Sequence, residues 1–192
     1  MQPEIQSGLV ILRGGEDTLK GNITLHLPDN LIELTEGSTI RTYSARQVDE
    51  FVLYSEEGSF RHFFSVPFSE YSGYRTPWFF EQIYVGPLLS LYVRESTTMV
   101  MVPVFDSFSQ RNVMSQRPRQ VLDFYFLPAN GAMKHYKNRR KDLYALMPEH
   151  EQEIKSFIKD SDISYVDRED LLRITQYMNS LTQAKPTEND KK

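Results

Sequence analysis

Residues 31–43 read Leu-Ile-Glu-Leu-Thr-Glu-Gly-Ser-Thr-Ile-Arg-Thr-Tyr. Two short β-prone runs, Leu31–Leu34 and Thr39–Tyr43, flank a Glu-Gly-Ser turn, which is the pattern of a β-hairpin. A second hairpin of the same kind follows, because the runs at 47–54 and 59–68 flank a Glu-Glu-Gly turn. These hairpins decide the fold class, since they predict antiparallel strands joined by tight turns and not parallel strands joined by helices.

The same alternation of short apolar runs and turn residues extends over about the first two-thirds of the chain and predicts about eleven strands. The remaining predicted strands are Gly8–Arg13, Thr18–Leu27, Phe79–Tyr84, Leu88–Val93, Met99–Phe105, Gln120–Leu127 and Ala132–Tyr136. Gly21, inside the second of them, predicts a β-bulge. Two stretches, Ser69–Pro77 and Asp106–Pro118, fit no strand. The second is rich in Ser, Gln and Asn, so it predicts a mobile loop or lid.

After Lys137 the apolar period becomes helical. Pro148 suits a first helical position, and Asp167 is a suitable N-cap for a last helix. That helix has an apolar stripe at three- and four-residue steps, formed by Leu171, Ile174, Met178 and Leu181. The predicted fold is therefore α+β. An antiparallel β roll, barrel or sandwich occupies residues 1–137, a C-terminal helical hairpin packs on it as a cap over 138–182, and residues 183–192 form a disordered tail.

Composition excludes several classes of function. The chain has 192 residues, a formal net charge of -4 and no cysteine, so disulfides and thiolate metal sites are ruled out. The acidic balance argues against nucleic-acid binding, and no apolar run approaches the roughly 18 residues of a membrane span. No His-x-His, His-Glu-x-x-His or Gly-x-Ser-x-Gly motif occurs. The sequence therefore predicts no catalytic residue, metal or cofactor, and a hydrolase site would have to form in space alone.

Two groups of residues are candidate binding surfaces. Aromatic residues are frequent between Phe60 and Tyr84, and most of the phenylalanines there are expected in the core. Tyr71, Tyr74 and Trp78 lie in the least regular part, so they predict a surface for a sugar ring or a protein partner. The second group is a possible anion-binding patch: Lys134, Lys137, Arg139, Arg140 and Lys141. Alternatively, these cations pair with the glutamates at 149, 151 and 153, or remain solvated.

Several short motifs also follow one another in a distinctive order. They are Asp17-Thr18-Leu19-Lys20-Gly21, Thr42-Tyr43-Ser44-Ala45-Arg46-Gln47-Val48, Phe79-Phe80-Glu81, Leu89-Ser90-Leu91-Tyr92, Asn138-Arg139-Arg140-Lys141-Asp142-Leu143, Glu153-Ile154-Lys155-Ser156-Phe157-Ile158 and Asp170-Leu171-Leu172. In this order they resemble a family of uncharacterised secreted or periplasmic β-rich proteins of the Bacteroidetes. The resemblance covers roughly residues 8–181. It implies a periplasmic or cell-envelope location and a mature start near Gln2, while a cytoplasmic location stays open. It implies no catalytic residues.

Three hypotheses follow for function. The first is a non-catalytic envelope protein that binds a protein partner or associates with itself as a homo-oligomer. The second is a carbohydrate or small-ligand binding protein with an aromatic-lined pocket, formed by Tyr71, Tyr74, Trp78 and the loop predicted at Asp106–Pro118. The third is a hydrolase whose catalytic groups meet only in the folded chain. An exposed apolar patch favours the first, an aromatic pocket the second, and converging acids or a Ser–His pair the third.

Overall fold

A computed structural model describes residues 5–15, 18–69 and 73–181. Within these residues ten strands form one antiparallel sheet in the order β10-β9-β8-β7-β6-β5-β1-β2-β3-β4. The strands are β1 (Ile5–Leu12), β2 (Thr18–His26), β3 (Leu31–Glu36), β4 (Thr39–Ser44), β5 (Val48–Tyr54), β6 (Phe60–Phe68), β7 (Thr76–Tyr84), β8 (Leu89–Asp106), β9 (Arg111–Pro128) and β10 (Lys134–Tyr136). The helices α1 (Arg140–Tyr144), α2 (Glu151–Asp160) and α3 (Arg168–Leu181) follow. The predicted α+β class is confirmed, and the sheet is open and not closed into a barrel. The tail predicted at 183–192 lies outside the described residues.

Strands β1 to β7 enclose one hydrophobic core on a single face of the sheet. Because side chains alternate along a strand and paired residues share a face, Val10, Phe51 and Phe63 point to the same side. The rings of Phe51 and Phe63 stack with their centroids 4.6 Å apart, and Phe79 meets Phe51 edge-on at 5.1 Å. All four side chains are fully buried, so this half of the sheet has its own core.

The sequence predicted a β-bulge at Gly21, but the structure has none there. Strand β2 pairs with β1 through Gly21 opposite Gly8 without a shift of register. The glycine is needed for a different reason, because a Cβ at position 21 would lie 2.5 Å from the carbonyl oxygen of Thr35. Close approach of a neighbouring backbone and a bulge leave the same mark in a sequence.

A short 3₁₀ turn at Leu27–Asp29 connects β2 to β3, and this corner is hydrogen-bonded to strands in the centre of the sheet. The Asn30 side chain, one residue later, accepts hydrogen bonds from Arg94 Nη1 at 2.8 Å and from the Phe79 amide at 3.4 Å. Arg94 Nη2 also donates to the Leu27 carbonyl at 2.5 Å. Strand β8 is thus fixed to a corner that is distant in sequence.

The helices cover one face of β8, β9 and β10. Leu171, Ile174 and Met178 are fully buried, which confirms the predicted stripe of α3. Asp167 caps this helix through the Glu169 amide, which donates to its Oδ1 at 2.9 Å. Asn179 is hydrogen-bonded to the first residue of β8. Its Oδ1 accepts from the Leu89 amide at 3.1 Å, and its Nδ2 donates to the Leu89 carbonyl at 2.9 Å. None of the described helices is long and apolar enough to cross a membrane.

Strands β8 and β9 form a long hairpin where the sequence predicted a loop. Each has 18 residues, and they pair without a register shift from Leu89 opposite Pro128 to Asp106 opposite Arg111. The prediction of a mobile loop or lid at Asp106–Pro118 is therefore wrong, and the separate strands predicted at 88–93 and 99–105 are one strand. Beyond the part that pairs with β7 and β10, residues 96–121 form a two-stranded extension, which we call the arm. At about 3.4 Å per residue it is roughly 35 Å long.

Candidate functional site

One face of the arm is apolar and carries no charge. We call it the apolar face, and its residues are Thr97, Met99, Met101, Pro103, Phe105, Asn112, Met114, Gln116, Pro118 and Gln120. Met99, Met101, Phe105 and Met114 are each more than half exposed. The opposite face holds three arginines and one aspartate, at positions 111, 117, 119 and 106, together with valines at 100, 102, 104, 113 and 121. The charges of the arm therefore lie on one face only, although both faces contain apolar side chains and both meet solvent.

The apolar face continues the face of the sheet that the helices cover. In the body, Leu91 and Val93 of β8 and Phe124 of β9 are buried in the same core as α3. The same alternation of side chains leads on to Met99 and Met101, where no described element covers the strands. Four large apolar side chains that are more than half exposed present on the order of 450 Å². The largest apolar patch of a typical monomer has about this size and is often functional.

The tip of the arm presents a phenylalanine. Phe108 is 98% exposed and lies in the four-residue loop between Asp106 and Arg111. The Asp106 carboxylate accepts hydrogen bonds from the amides of Phe108 at 3.1 Å and Ser109 at 3.2 Å. These bonds, together with one from the Ser109 hydroxyl, which has the largest effect, lower the pKa of Asp106. The tip is therefore an ordered turn that holds an apolar ring in solvent.

Both edges of the arm contain a proline whose missing N–H falls on the outer side. The amide and carbonyl of Leu89 bond to Asn179 and not to β9. Because these backbone directions alternate along a strand, every second residue of β8 from Leu89 onward points its amide and carbonyl away from β9. Pro103 is one of these residues. Pro118 is opposite Met99, which is another, so Pro118 also turns outward. Neither proline removes a hydrogen bond from within the arm.

A cleft of about 790 Å³ lies at the foot of the apolar face. Its walls are Gln6, Leu25, His26, Leu27, Pro28, Asp29, Leu53, Arg61, Glu95, Ser96, Thr97, Gln120, Val121 and Leu122. None of these residues is Phe, Tyr or Trp, so the cleft is not the aromatic-lined pocket of the second hypothesis. Apolar side chains of the β2–β3 corner and of β5 face the base of the arm across it. The cleft therefore combines apolar side chains with the charged or polar groups of Asp29, Arg61 and Glu95.

A network of charges around the buried Glu81 stabilises the sheet at this cleft, whose lining includes Arg61 and Glu95. Glu81 is 2% exposed and receives hydrogen bonds from Arg61 Nη2 at 2.7 Å and from Arg168 Nη2 at 2.5 Å. Arg61 Nη2 also lies 2.5 Å from Glu95 Oε1. Burial lowers the pKa of Arg61, but the hydrogen bonds and charges of Glu81 and Glu95 outweigh this effect, so its pKa is raised. All four groups are satisfied by one another, which is the arrangement of a structural ion-pair network.

The hydrolase hypothesis would need a catalytic triad, and the group that comes nearest to one is Ser96, Asp123 and His135. Its geometry does not fit a triad. Ser96 Oγ donates to Asp123 Oδ2 at 2.5 Å, and His135 Nε2 lies 3.7 Å from Asp123 Oδ1. The carboxylate stands between serine and histidine, whereas a nucleophile must contact its base directly. Among the residues that the structure describes, no cluster of three or more His, Cys, Asp or Glu side chains is arranged to hold a metal ion.

The predicted aromatic surface is not assembled around the cleft. Tyr74 is 76% exposed. Trp78 is half-buried, with its ring against Phe68 and beneath the Arg94 guanidinium, whose carbon lies 4.5 Å from the ring centroid. Neither residue lines the cleft. Tyr71 lies outside the described residues.

The predicted basic patch is partly neutralised. Arg139 binds Asp142 with two hydrogen bonds of 3.1 Å, and this contact lowers the pKa of Asp142. Arg140 lies over the Tyr165 ring at 4.8 Å. The lysines at 134, 137 and 141 are exposed and form no ion pair with a described carboxylate. A hollow of about 190 Å³ is lined by residues of this region, among them Lys134, Lys137 and Arg139. The glutamates at 151 and 153 bind Lys155 and His150 instead.

Sequence reasoning missed the arm itself. The sequence did contain an indication of the first strand of the arm, because valines alternate with Met99, Met101, Pro103 and Phe105. A turn after Asp106 would then have predicted a second strand that pairs with the first. The polar residues that follow resembled a loop, since a strand exposed on both faces has no need of apolar alternation. No protein family, curated protein or solved structure matches this chain.

Proposed function

We propose that this chain is a non-catalytic binding protein that docks on a protein partner through the apolar face of its arm. The observation that carries the proposal is the uncharged patch of Met99, Met101, Phe105 and Met114, which is exposed on a paired and ordered hairpin. Interface centres are depleted of charged residues and enriched in methionine and aromatic residues. Methionine also adapts its shape to a partner better than branched side chains do.

The state of the buried acid Glu81 also favours binding over catalysis. Its carboxylate is neutralised by Arg61 and Arg168, so it is not available as a general acid or base. The order of motifs described above supports a cell-envelope location for the protein, and we propose that location as well. The partner would then be another envelope protein or a second copy of the chain.

Site-specific photo-crosslinking in cells tests the proposal. A photoreactive phenylalanine analogue is placed at Met101, on the apolar face, and in a matched control at its neighbour Val102, on the opposite face. We expect a discrete protein adduct from position 101 and a much weaker one from position 102, because only the apolar face would be covered. Equal adducts from both positions, or none from position 101, would refute the proposal.

A further inference from the structure

We infer that the partner is a second copy of this chain, and that two arms pack antiparallel with their apolar faces together, so that the tip of each arm enters the cleft of the other copy. This inference rests on the proposed function and names its partner. It joins three features of the molecule that have no other explanation in the fold: the apolar face, the exposed Phe108 and the cleft at the foot of the arm.

The apolar face is self-complementary. It carries no charged side chain between Thr97 and Phe105 on β8 or between Asn112 and Gln120 on β9, so two such faces can meet without burying a charge. The arginines at 111, 117 and 119 remain on the outer faces, in solvent. Two faces would bury on the order of 900 Å² through their large apolar side chains alone, and contacts of the tips would bring the total near the 1,200 Å² or more of specific interfaces.

The geometry of an antiparallel pair brings tip and cleft together. In a two-fold arrangement the tip of each arm lies over the foot of the other. The foot of the apolar face carries Thr97 and Gln120, which form one wall of the cleft together with Leu122 just below the arm. The opposite wall includes Leu27 and Leu53. Phe108, almost fully exposed in one copy, would therefore meet Leu27 and Leu53 in the other, within a cleft that also has polar walls.

The charge distribution also favours a second copy. The arm, residues 96–121, has three arginines and one aspartate, which gives a formal charge of +2, so the remainder of the -4 chain carries -6. The arginines lie on the outer side of the arm, so an arm that lies along another copy brings the two net charges near each other without direct ion pairs. Such complementarity assists association and selects the orientation of the partner.

Molecular mass and matched variants test the inference. We expect a particle of twice 22.5 kDa in light scattering and sedimentation velocity at micromolar concentrations. Met101→Lys should weaken the dimer at least about 100-fold, because it buries a charge at the interface. Val102→Lys, one residue away on the opposite face, should leave the dimer intact. Circular dichroism confirms that both variants are folded.

Cysteine pairing tests the antiparallel arrangement directly, since the chain contains no cysteine. A mixture of the single variants Phe108→Cys and Thr97→Cys should form a disulfide-linked heterodimer under mild oxidation. A mixture of Phe108→Cys with Thr98→Cys, which points to the other face, should form far less. Equal yields from the two mixtures would overturn the arrangement.

The two proposals can fail separately. A wild-type chain that stays monomeric, with an adduct of a different protein at position 101, would overturn the second copy and leave the proposed function standing. A monomer without any adduct at position 101 would overturn both. A dimer that Met101→Lys and Val102→Lys weaken equally would also overturn the inference.

Discussion

Replacing Asn179 by alanine tests how the helical cap is joined to the sheet. The Asn179 side chain supplies the hydrogen-bond partners of both backbone groups of Leu89, a residue that is 3% exposed. Leaving a buried backbone group unpaired costs about 1–3 kcal/mol, so the variant should lose about 4 kcal/mol of unfolding free energy. For a chain of this size that loss lowers the melting temperature by about 8–16 °C.

A neighbouring glycine turns this prediction into a double-mutant cycle. A Cβ at Gly86 would lie 2.4 Å from Asn179 Oδ1, so Gly86→Ala should cost about 1–3 kcal/mol in the wild-type background. In the Asn179→Ala background the obstructing amide is absent, and Gly86→Ala should be neutral or slightly stabilising. The coupling energy between the two positions should therefore be about 1–3 kcal/mol.

Urea unfolding, followed by circular dichroism and tryptophan fluorescence, measures all four corners of the cycle. Gln176→Ala, on the exposed side of the same helix, is the control and should change stability by less than about 0.5 kcal/mol. Two results would refute the reasoning. One is a loss of less than about 1 kcal/mol for Asn179→Ala, and the other is an equal cost of Gly86→Ala in both backgrounds.

Two further predictions concern charged groups. Glu81→Gln removes the buried carboxylate between Arg61 and Arg168 and should lower the free energy of unfolding in urea by about 3 kcal/mol. The control Glu36→Gln, in the exposed pair with Arg41, should lower it by less than about 1 kcal/mol. Similar losses in the two variants would contradict a special role for the buried network. Because the pKa of Asp106 lies below its ordinary 3.8, its turn bonds persist above that value and are lost as the pH falls through the lowered pKa. The amide NMR shifts of Phe108 and Ser109 should titrate with a midpoint below 3.8 and lose this transition in Asp106→Asn, whereas a midpoint at 3.8 or higher would disagree with the geometry.

Local patterns were sufficient to predict the fold class and the last helix. The hairpin around Glu-Gly-Ser at 36–38 is present as β3 and β4, with Glu36 opposite Thr39, because turn chemistry and strand propensity agree there. The α3 stripe at Leu171, Ile174 and Met178 is buried as predicted, because a periodic apolar face specifies its own side of contact.

The candidate site was not predictable by the same means. A strand is recognised in a sequence by apolar residues at the positions that it buries. The arm has no fully buried face, so residues such as Ser115, Gln116 and Arg117 gave no indication of a strand. Proline normally argues against a strand, yet Pro103 and Pro118 fit because their missing donors point outward. The cleft was also invisible, since its walls, such as Leu27, Leu53 and Leu122, come from segments far apart in the chain.

The outward prolines also limit how far association can proceed. An unbroken β margin recruits strand after strand, and proteins with such margins grow into filaments. Pro103 interrupts one margin of the arm and Pro118 the other, so each blocks the continuous ladder that polymerisation requires. Contact through the face of the hairpin, by contrast, is finite and ends once that face is occupied. A chain that displays a long, apolar hairpin in this way can keep an adhesive surface and still remain in small, closed assemblies.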